Sequence, residues 1–241
     1  MVKVKICGIT NYEDASLAVE LGADILGFIL APSPRQISPE KVRSIIGFLP
    51  PFVMTVGVFV DEEEKTIKDI ADFCRLTQVQ LHGKESPDFC RRFRPKALKA
   101  FRVLDETSLL PISTYQGHVQ AVILDTYQKG MAGGTGRTFP WDLAIKAKAF
   151  NLPVFLSGGL NPSNIRQAIA TVKPYGVDVN SGIEERPGKK DPLRMKQLMK
   201  VIKESRVREP GFELSPHASS SSKAYAAERG RRGLGWGTDK A

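Results

Sequence analysis

The chain has 241 residues, 41% of them hydrophobic and 25% charged, with a formal net charge of +9 at pH 7, which suits one globular α/β domain of barrel size. It contains no apolar run long enough to cross a membrane, and its start lacks the basic and then apolar order of a signal peptide, so we expect a cytoplasmic protein without a membrane partner. The positive charge is scattered among acidic residues and is not interleaved with aromatic residues, so we expect no nucleic-acid partner.

Eight short apolar runs alternate with amphipathic segments along the chain. They are mostly β-branched and do not alternate strictly, which is typical of parallel strands that are buried on both faces. The runs are residues 4–9, 25–30, 55–60, 78–81, 97–103, 121–124, 153–156 and 177–179. We predict an α/β fold, a single (βα)8 TIM barrel. The alternative is an open doubly wound sheet, but its G-x-G-x-x-G signature does not follow the first strand.

Helix start signals lie between these runs. Thr10 and Glu13 have the spacing of a capping box. Four further pairs place a capping side chain before proline at the first helical position: Ser38-Pro39, Ser86-Pro87, Asn161-Pro162 and Asp191-Pro192. The segment 105–117 is the least clear helix because it contains Pro111.

The composition changes near residue 205. The stretch 215–222 is rich in serine, and 230–237 is basic and rich in glycine. Such a segment has too few apolar residues to order itself. We therefore predict a catalytic barrel over residues 1–205 and a disordered tail over 206–241 with no assigned function, a tail that binds RNA or a partner being the alternative.

Glycines follow the last two predicted strands. Active sites of α/β barrels lie at the C-terminal ends of the strands, and the loops after strands 7 and 8 commonly bind phosphate. Gly158 and Gly159 follow strand 7, and Ser181 and Gly182 follow strand 8. The positions favour a phosphate site that uses backbone N–H groups. The alternative is that Gly158 and Gly159 only form a tight turn.

Polar and reactive side chains stand at other strand ends. Cys7 and Asp125 follow strands 1 and 6 and form a possible base and acid, although buried cysteines are also common in cores. Arg35 could bind a carboxylate or lie in solvent, and His82 could donate to substrate or cap its strand. Cys7, Cys74 and Cys90 are the only cysteines. Their odd number and lack of C-x-x-C spacing predict neither disulfides nor a metal site.

The ordered motifs of the chain resemble those of the phosphoribosylanthranilate isomerase family over roughly residues 3–204. The shared motifs are Lys5-Ile6-Cys7-Gly8-Ile9-Thr10, Ser33-Pro34-Arg35, Gly57-Val58-Phe59-Val60, Val79-Gln80-Leu81-His82-Gly83, Leu124-Asp125-Thr126, Gly133-Gly134-Thr135-Gly136, Leu156-Ser157-Gly158-Gly159-Leu160-Asn161-Pro162 and Val177-Asp178-Val179-Asn180-Ser181-Gly182. One departure is Pro140, which stands before Trp141 where the family usually has aspartate.

The resemblance implies a cofactor-independent Amadori rearrangement of N-(5-phosphoribosyl)anthranilate in tryptophan biosynthesis. It implies that Asp125 is the general acid, that Cys7 is the general base and that Arg35 binds the anthranilate carboxylate. It also implies that Asp178 and His82 support the substrate, while Gly158, Gly159, Ser181 and Gly182 bind its phosphate. The partner is then a small phosphorylated molecule, and the protein is a monomer or a homodimer.

Two other functions compete with this one. Another phosphate-binding barrel, such as indole-glycerol-phosphate synthase, would be expected to carry lysines and glutamates at strand ends, and most of these positions lack them. The other competing function is that of a basic RNA- or partner-binding protein, built on a barrel that has lost its activity. The presence of Cys7, Arg35 and Asp125 together counts against it.

Overall fold

The computed structural model describes residues 1–126 and 140–207, except for the side chains of the last two. Its strands are β1 (Lys3–Ile6), β2 (Ile25–Ile29), β3 (Met54–Phe59), β4 (Gln78–Leu81), β5 (Ala97–Val103), β6 (Ala121–Thr126), β7 (Val154–Leu156), β8 (Gly176–Val179), β9 (Glu184–Arg186) and β10 (Lys189–Lys190). Its α-helices are α1 (Tyr12–Glu20), α2 (Pro39–Gly47), α3 (Glu64–Cys74), α4 (Pro87–Arg91), α5 (Trp141–Ala147), α6 (Ile165–Val172) and α7 (Pro192–Val207). Helices of 3₁₀ type cover Glu106–Tyr115, Lys148–Phe150 and Ser181–Ile183.

Strands β1 to β8 form a closed parallel barrel in sequence order, and β9 pairs with β10 in a separate antiparallel hairpin. Strand β1 closes the barrel by pairing with β8 in a register that places Lys5 beside Asp178. The predicted (βα)8 barrel is confirmed. Within the described ranges, no helix is long and apolar enough to span a membrane.

The barrel has two apolar layers because side chains of a strand alternate between its faces. Val4 and Ile6 of β1 belong to the large cluster between the sheet and the helices. A smaller cluster fills the interior, and it consists of Ile25, Val56, Leu98, Ala100, Ala121, Ile123 and Phe155. Lys5 and Cys7 alternate with Val4 and Ile6, so they face the interior, where the polar residues of the site are.

Some of the predicted helix starts are confirmed and others are wrong. Ser38, Ser86 and Asp191 cap their helices as expected. The Thr10 capping box is wrong, because Asn11 Oδ1 accepts the Asp14 N–H at 2.8 Å instead. The Thr10 hydroxyl donates to the Gly188 carbonyl oxygen.

Two further boundaries differ from the sequence predictions. Helix α6 begins at Ile165, and Asn161 Oδ1 forms a turn before it by accepting the Ser163 N–H at 2.9 Å. The segment around Pro111 is a 3₁₀ helix, which tolerates the proline. Helix α7 continues to Val207, so the predicted tail lies outside the described residues from 208 onward and stays a prediction.

Candidate active site

A polar cavity opens at the C-terminal ends of the barrel strands. All nine residues that the sequence singled out line it or lie at its wall: Cys7, Arg35, His82, Asp125, Gly158, Gly159, Asp178, Ser181 and Gly182. Strand β6 stands three places from β1 around the closed barrel. Cys7 and Asp125 therefore approach the cavity from different sides, as an acid and a base acting on one substrate must.

Cys7 follows β1 and is almost entirely buried. Its N–H extends the sheet by donating to the Val179 carbonyl oxygen at 2.9 Å, which fixes the backbone under the sulfur. Burial raises the pKa of the Cys7 thiol, and the positive charge of Lys5 is the largest influence that lowers it. Lys190 also lowers the pKa, while the Asp178 carboxylate raises it.

Asp125 lies at the end of β6, and its Oδ1 accepts the N–H of Thr126 at 2.8 Å. Burial raises the pKa of Asp125 to about 6, and the nearby Asp178 carboxylate acts in the same direction. The carboxyl group therefore keeps its proton to a much higher pH than an exposed aspartate does, as a general acid requires.

His82 stands beside this carboxyl group. Its Nε2 lies 3.7 Å from Asp125 Oδ2, and its Nδ1 lies 3.1 Å from Gln80 Nε2. Burial, together with the charges of Lys99 and Arg102, lowers the pKa of His82 to about 3. The ring is therefore neutral at pH 7.

Arg35 is buried, so the alternative of a solvated loop arginine is wrong. Its Nε donates to both Glu184 carboxylate oxygens at 3.0 Å, and its Nη2 donates to Oε2 at 2.8 Å. The buried Lys190 ammonium lies 3.0 Å from Glu184 Oε1. Burial favours the neutral acid, but the Arg35 and Lys190 contacts hold the pKa of Glu184 below its usual value. The guanidinium is thus fixed through Nε and Nη2, and no residue within 1–126 or 140–207 accepts a hydrogen bond from its Nη1.

Glu184 and Lys190 were not found from the sequence. They belong to β9 and β10, which follow the last barrel strand and form the hairpin. Lys5 was also missed: its Nζ lies 3.0 Å from Asp178 Oδ1, and both side chains are buried. The alternating start Lys3-Val4-Lys5 is typical of a strand with one solvated face, and nothing local indicates that Lys5 faces the interior.

The loops after β7 and β8 meet at one wall of the cavity. Gly158 and Gly159 have φ angles of +82° and +65°, which favour glycine. A Cβ at Gly158 would overlap Thr126 Oγ1, and a Cβ at Gly182 would overlap the Leu160 carbonyl oxygen. The tight packing explains why these positions need glycine. It also brings the backbone close to the cavity.

The backbone N–H groups in these two loops are available to a ligand. No described residue accepts a hydrogen bond from the N–H of Gly159, Ser181 or Gly182. Converging amide donors of this kind form an anion-binding surface.

Two motifs of the sequence lie within or next to residues 127–139. The cluster Gly133-Gly134-Thr135-Gly136 lies outside the described residues. Pro140 occupies the N-cap position of α5 and provides no side-chain hydrogen bond there. Pro140 is not among the described residues that line the cavity.

Comparisons with known proteins agree on one family. The model of the N-(5'-phosphoribosyl)anthranilate (PRA) isomerase family matches residues 4–201. An N-(5'-phosphoribosyl)anthranilate isomerase of Pelobacter propionicus is 51% identical over 207 residues, which are 86% of this chain and 98% of that relative.

Solved structures give the same result. The crystal structure of phosphoribosyl anthranilate isomerase from Thermotoga maritima has a TM-score of 0.80 and 46% identity, covering 85% of this chain and 100% of that one. A crystal structure of this isomerase in complex with reduced 1-(o-carboxyphenylamino)-1-deoxyribulose 5-phosphate has a TM-score of 0.76 and 43% identity, covering 85% of this chain and 100% of that one.

Proposed function

Because the chain belongs to the N-(5'-phosphoribosyl)anthranilate isomerase family, whose reaction in tryptophan biosynthesis it catalyses, we propose that Cys7 and Asp125 carry out the proton transfers. The substrate is N-(5'-phosphoribosyl)anthranilate, and the product is 1-(o-carboxyphenylamino)-1-deoxyribulose 5-phosphate. The single observation that carries the proposal is that both side chains line one cavity from well-separated strands of the barrel.

Asp125 is the general acid of the first step. Its carboxyl group gives a proton to the furanose ring oxygen, the bond from C1 to that oxygen breaks, and the nitrogen lone pair forms an iminium. The raised pKa of Asp125 supports this role because a buried carboxyl group loses stability when it ionises. Asp125 lies near the C-terminal end of β6 and lines the cavity, so its acidic proton can reach a bound substrate.

Cys7 is the general base of the second step. Its thiolate takes the proton from sugar C2, the electrons of that C–H bond form the C1–C2 double bond, and the iminium electrons return to nitrogen. The resulting enolamine tautomerises to the ketose. The net reaction is an isomerisation, so the protons gained and lost cancel once both side chains return to their starting states.

Arg35, which Glu184 holds in place, binds the anthranilate carboxylate. A planar guanidinium suits a carboxylate because its donors match the two oxygens. His82 and Asp178 support the sugar between the acid and the base. The backbone at Gly158, Gly159, Ser181 and Gly182 binds the ribose phosphate through amide donors that have no acceptor among the described residues.

We also propose a cytoplasmic protein that is a monomer or a homodimer. All three cysteines are free thiols, which supports a reducing compartment. Light scattering on the purified chain distinguishes one copy from two.

The test of the function follows the loss of anthranilate fluorescence when the purified protein meets N-(5'-phosphoribosyl)anthranilate, with the product identified by mass spectrometry. We expect rapid turnover to the ketose at catalytic protein concentrations. A folded protein that does not accelerate the reaction over buffer contradicts the proposal. A nucleic-acid affinity that falls steeply with salt would instead favour the alternative of a binding protein on an inactive barrel.

A further inference from the structure

Lys5 lies inside the barrel on the same face of β1 as Cys7. The two residues are two positions apart, and side chains of a strand repeat with a period of two. Lys5 is fully buried, and the pairing of β1 with β8 places it beside Asp178, whose Oδ1 lies 3.0 Å from its Nζ. A lysine in such a position needs a partner charge, because an isolated buried ammonium is very costly.

The Lys5 ammonium also borders the Cys7 sulfur. A Cβ added to Gly27 on β2 would lie 2.7 Å from Cys7 Sγ and 3.0 Å from Lys5 Nζ. The two atoms therefore share the space that the missing side chain leaves. Gly27 thus makes room for a contact between the ammonium and the sulfur, in addition to the contact between the ammonium and Asp178.

We propose that Lys5 is a positioning residue that holds the sulfur of Cys7 and stabilises its thiolate during abstraction of the C2 proton, while Asp178 holds Lys5 in place. The inference rests on the proposed function, because it requires Cys7 to act as the base. Lys5 itself transfers no proton. It acts through the sulfur, which exchanges one proton with the substrate.

The charges around Cys7 support this role. Among the described residues, the cations that act on the thiol are Lys5 from β1 and Lys190 from β10, and the anion is Asp178 from β8. Burial raises the pKa of the thiol most strongly, and Lys5 opposes that effect more strongly than Lys190 does. Burial also disfavours the charge on Lys5, but Asp178 and Cys7 outweigh it and raise the pKa of Lys5. The raised pKa of Lys5 keeps its side chain charged beside the sulfur at pH 7.

The experiment measures the rate at which iodoacetamide alkylates Cys7 between about pH 6 and pH 10, read by peptide mass spectrometry without substrate. Only the thiolate reacts, so the profile reports the Cys7 pKa independently of turnover. Peptide masses separate Cys7 from Cys74 and Cys90, whose pKa values burial raises to about 11 and about 12. Cys7→Ala gives the background.

Lys5→Met is expected to move the profile upward by at least about one pH unit, so that alkylation at a fixed pH below the midpoint slows by about tenfold or more. Lys5→Arg keeps the charge, so its profile is expected to shift upward by less than that of Lys5→Met. The matched control is Lys99→Met, which removes another buried lysine, one on β5 that lies 3.2 Å from Glu85 and is not among the charges that act on Cys7. Its profile should match that of wild type.

A folded Lys5→Met variant with the wild-type profile overturns the proposal. If the unpaired Asp178 prevents folding of that variant, Lys5→Met combined with Asp178→Asn is compared with Asp178→Asn alone, because Asp178 itself raises the pKa of Cys7. The two variants differ only at Lys5, so identical profiles in them also overturn the proposal. A failure of the proposed function is distinguishable, because it would show as absent turnover in wild type whatever the alkylation profile is.

Discussion

The Nε2 of His82 lies 3.7 Å from Oδ2 of Asp125, and Gln80 Nε2 lies 3.1 Å from His82 Nδ1. With the Gln80 amide nitrogen as donor, Nδ1 accepts and the ring proton stands on Nε2, toward Asp125. The ring is neutral because burial and nearby cations lower the pKa of His82 to about 3. His82 therefore presents a donor to the acid without adding a positive charge that would keep Asp125 ionised.

The pH dependence of kcat/KM follows from the two titrating groups. The active form has Asp125 protonated and Cys7 deprotonated. Below the Asp125 pKa of about 6, kcat/KM should rise tenfold per pH unit because the thiolate fraction rises. Above it, the loss of the Asp125 proton cancels that rise, and the curve should become flat. In Asp125→Asn the residual activity should rise through this pH without a break. A break that persists in the variant belongs to another group.

The stability of the protein should show the cost of burying Asp125. The pKa of Asp125 is raised in the folded state to about 6 from 3.8. Ionisation of the buried carboxyl group therefore does not destabilise the folded protein below the pKa of the unfolded state, and the destabilisation develops as the pH rises through the pKa of the folded state. We expect Asp125→Asn to increase the free energy of unfolding at pH 7.5 by about 1–3 kcal/mol, and by much less at pH 4. Urea unfolding at the two pH values measures this. An equal change in the free energy of unfolding at both pH values would contradict the assignment of the raised pKa to Asp125.

The loop after β7 should depend on glycine at position 158. Gly158→Ala would place a methyl group against Thr126 Oγ1 at a φ of +82°, which moves the amide donors. We expect KM to rise by about tenfold or more, with a smaller effect on kcat, because phosphate binding is common to the ground and transition states. The control is Gly117→Ala, which has a similar φ of +74° and open space around its Cβ. Its KM should match wild type, and equal KM changes in the two variants would point to general strain.

Arg35 should not be replaceable by lysine. Arg35→Lys loses the three donor contacts with Glu184 and the planar group that matches a carboxylate. We expect KM to rise by about tenfold or more while kcat changes by less than about threefold. Arg43→Lys is the matched control, since Arg43 is exposed and contacts Phe73 on the helix surface. A variant at position 35 with wild-type KM would exclude Arg35 as the carboxylate ligand.

Much of the fold and the site follows from local pattern. Each β-branched run became a strand, and the rule that barrel sites lie at strand ends led from Cys7, His82 and Asp125 to one cavity. The missed residues depend on contacts that are distant in sequence. Lys5 meets Asp178 across 173 positions, and Arg35 meets Glu184 across 149. Only closure of the barrel determines these partners, so a periodic pattern within one strand does not contain them.

The Thr10 error has a related cause. Thr10 and Asn11 both offer an oxygen three residues before an acidic side chain, so the two caps have equal local support. The Thr10 hydroxyl contacts Gly188 in the turn of the hairpin, which leaves the cap to Asn11. A distant contact thus decides between two equivalent local choices.

The most direct test of the account compares turnover of N-(5'-phosphoribosyl)anthranilate by wild type, Cys7→Ala, Asp125→Asn and Cys74→Ala. Cys74 is a fully buried thiol on α3, so its variant controls for loss of a buried sulfur. We expect Cys74→Ala to remain active and each site variant to lose about 10²-fold or more in kcat while still folded by circular dichroism. A folded Cys7→Ala or Asp125→Asn variant with a kcat close to that of wild type would contradict the assignment of acid and base.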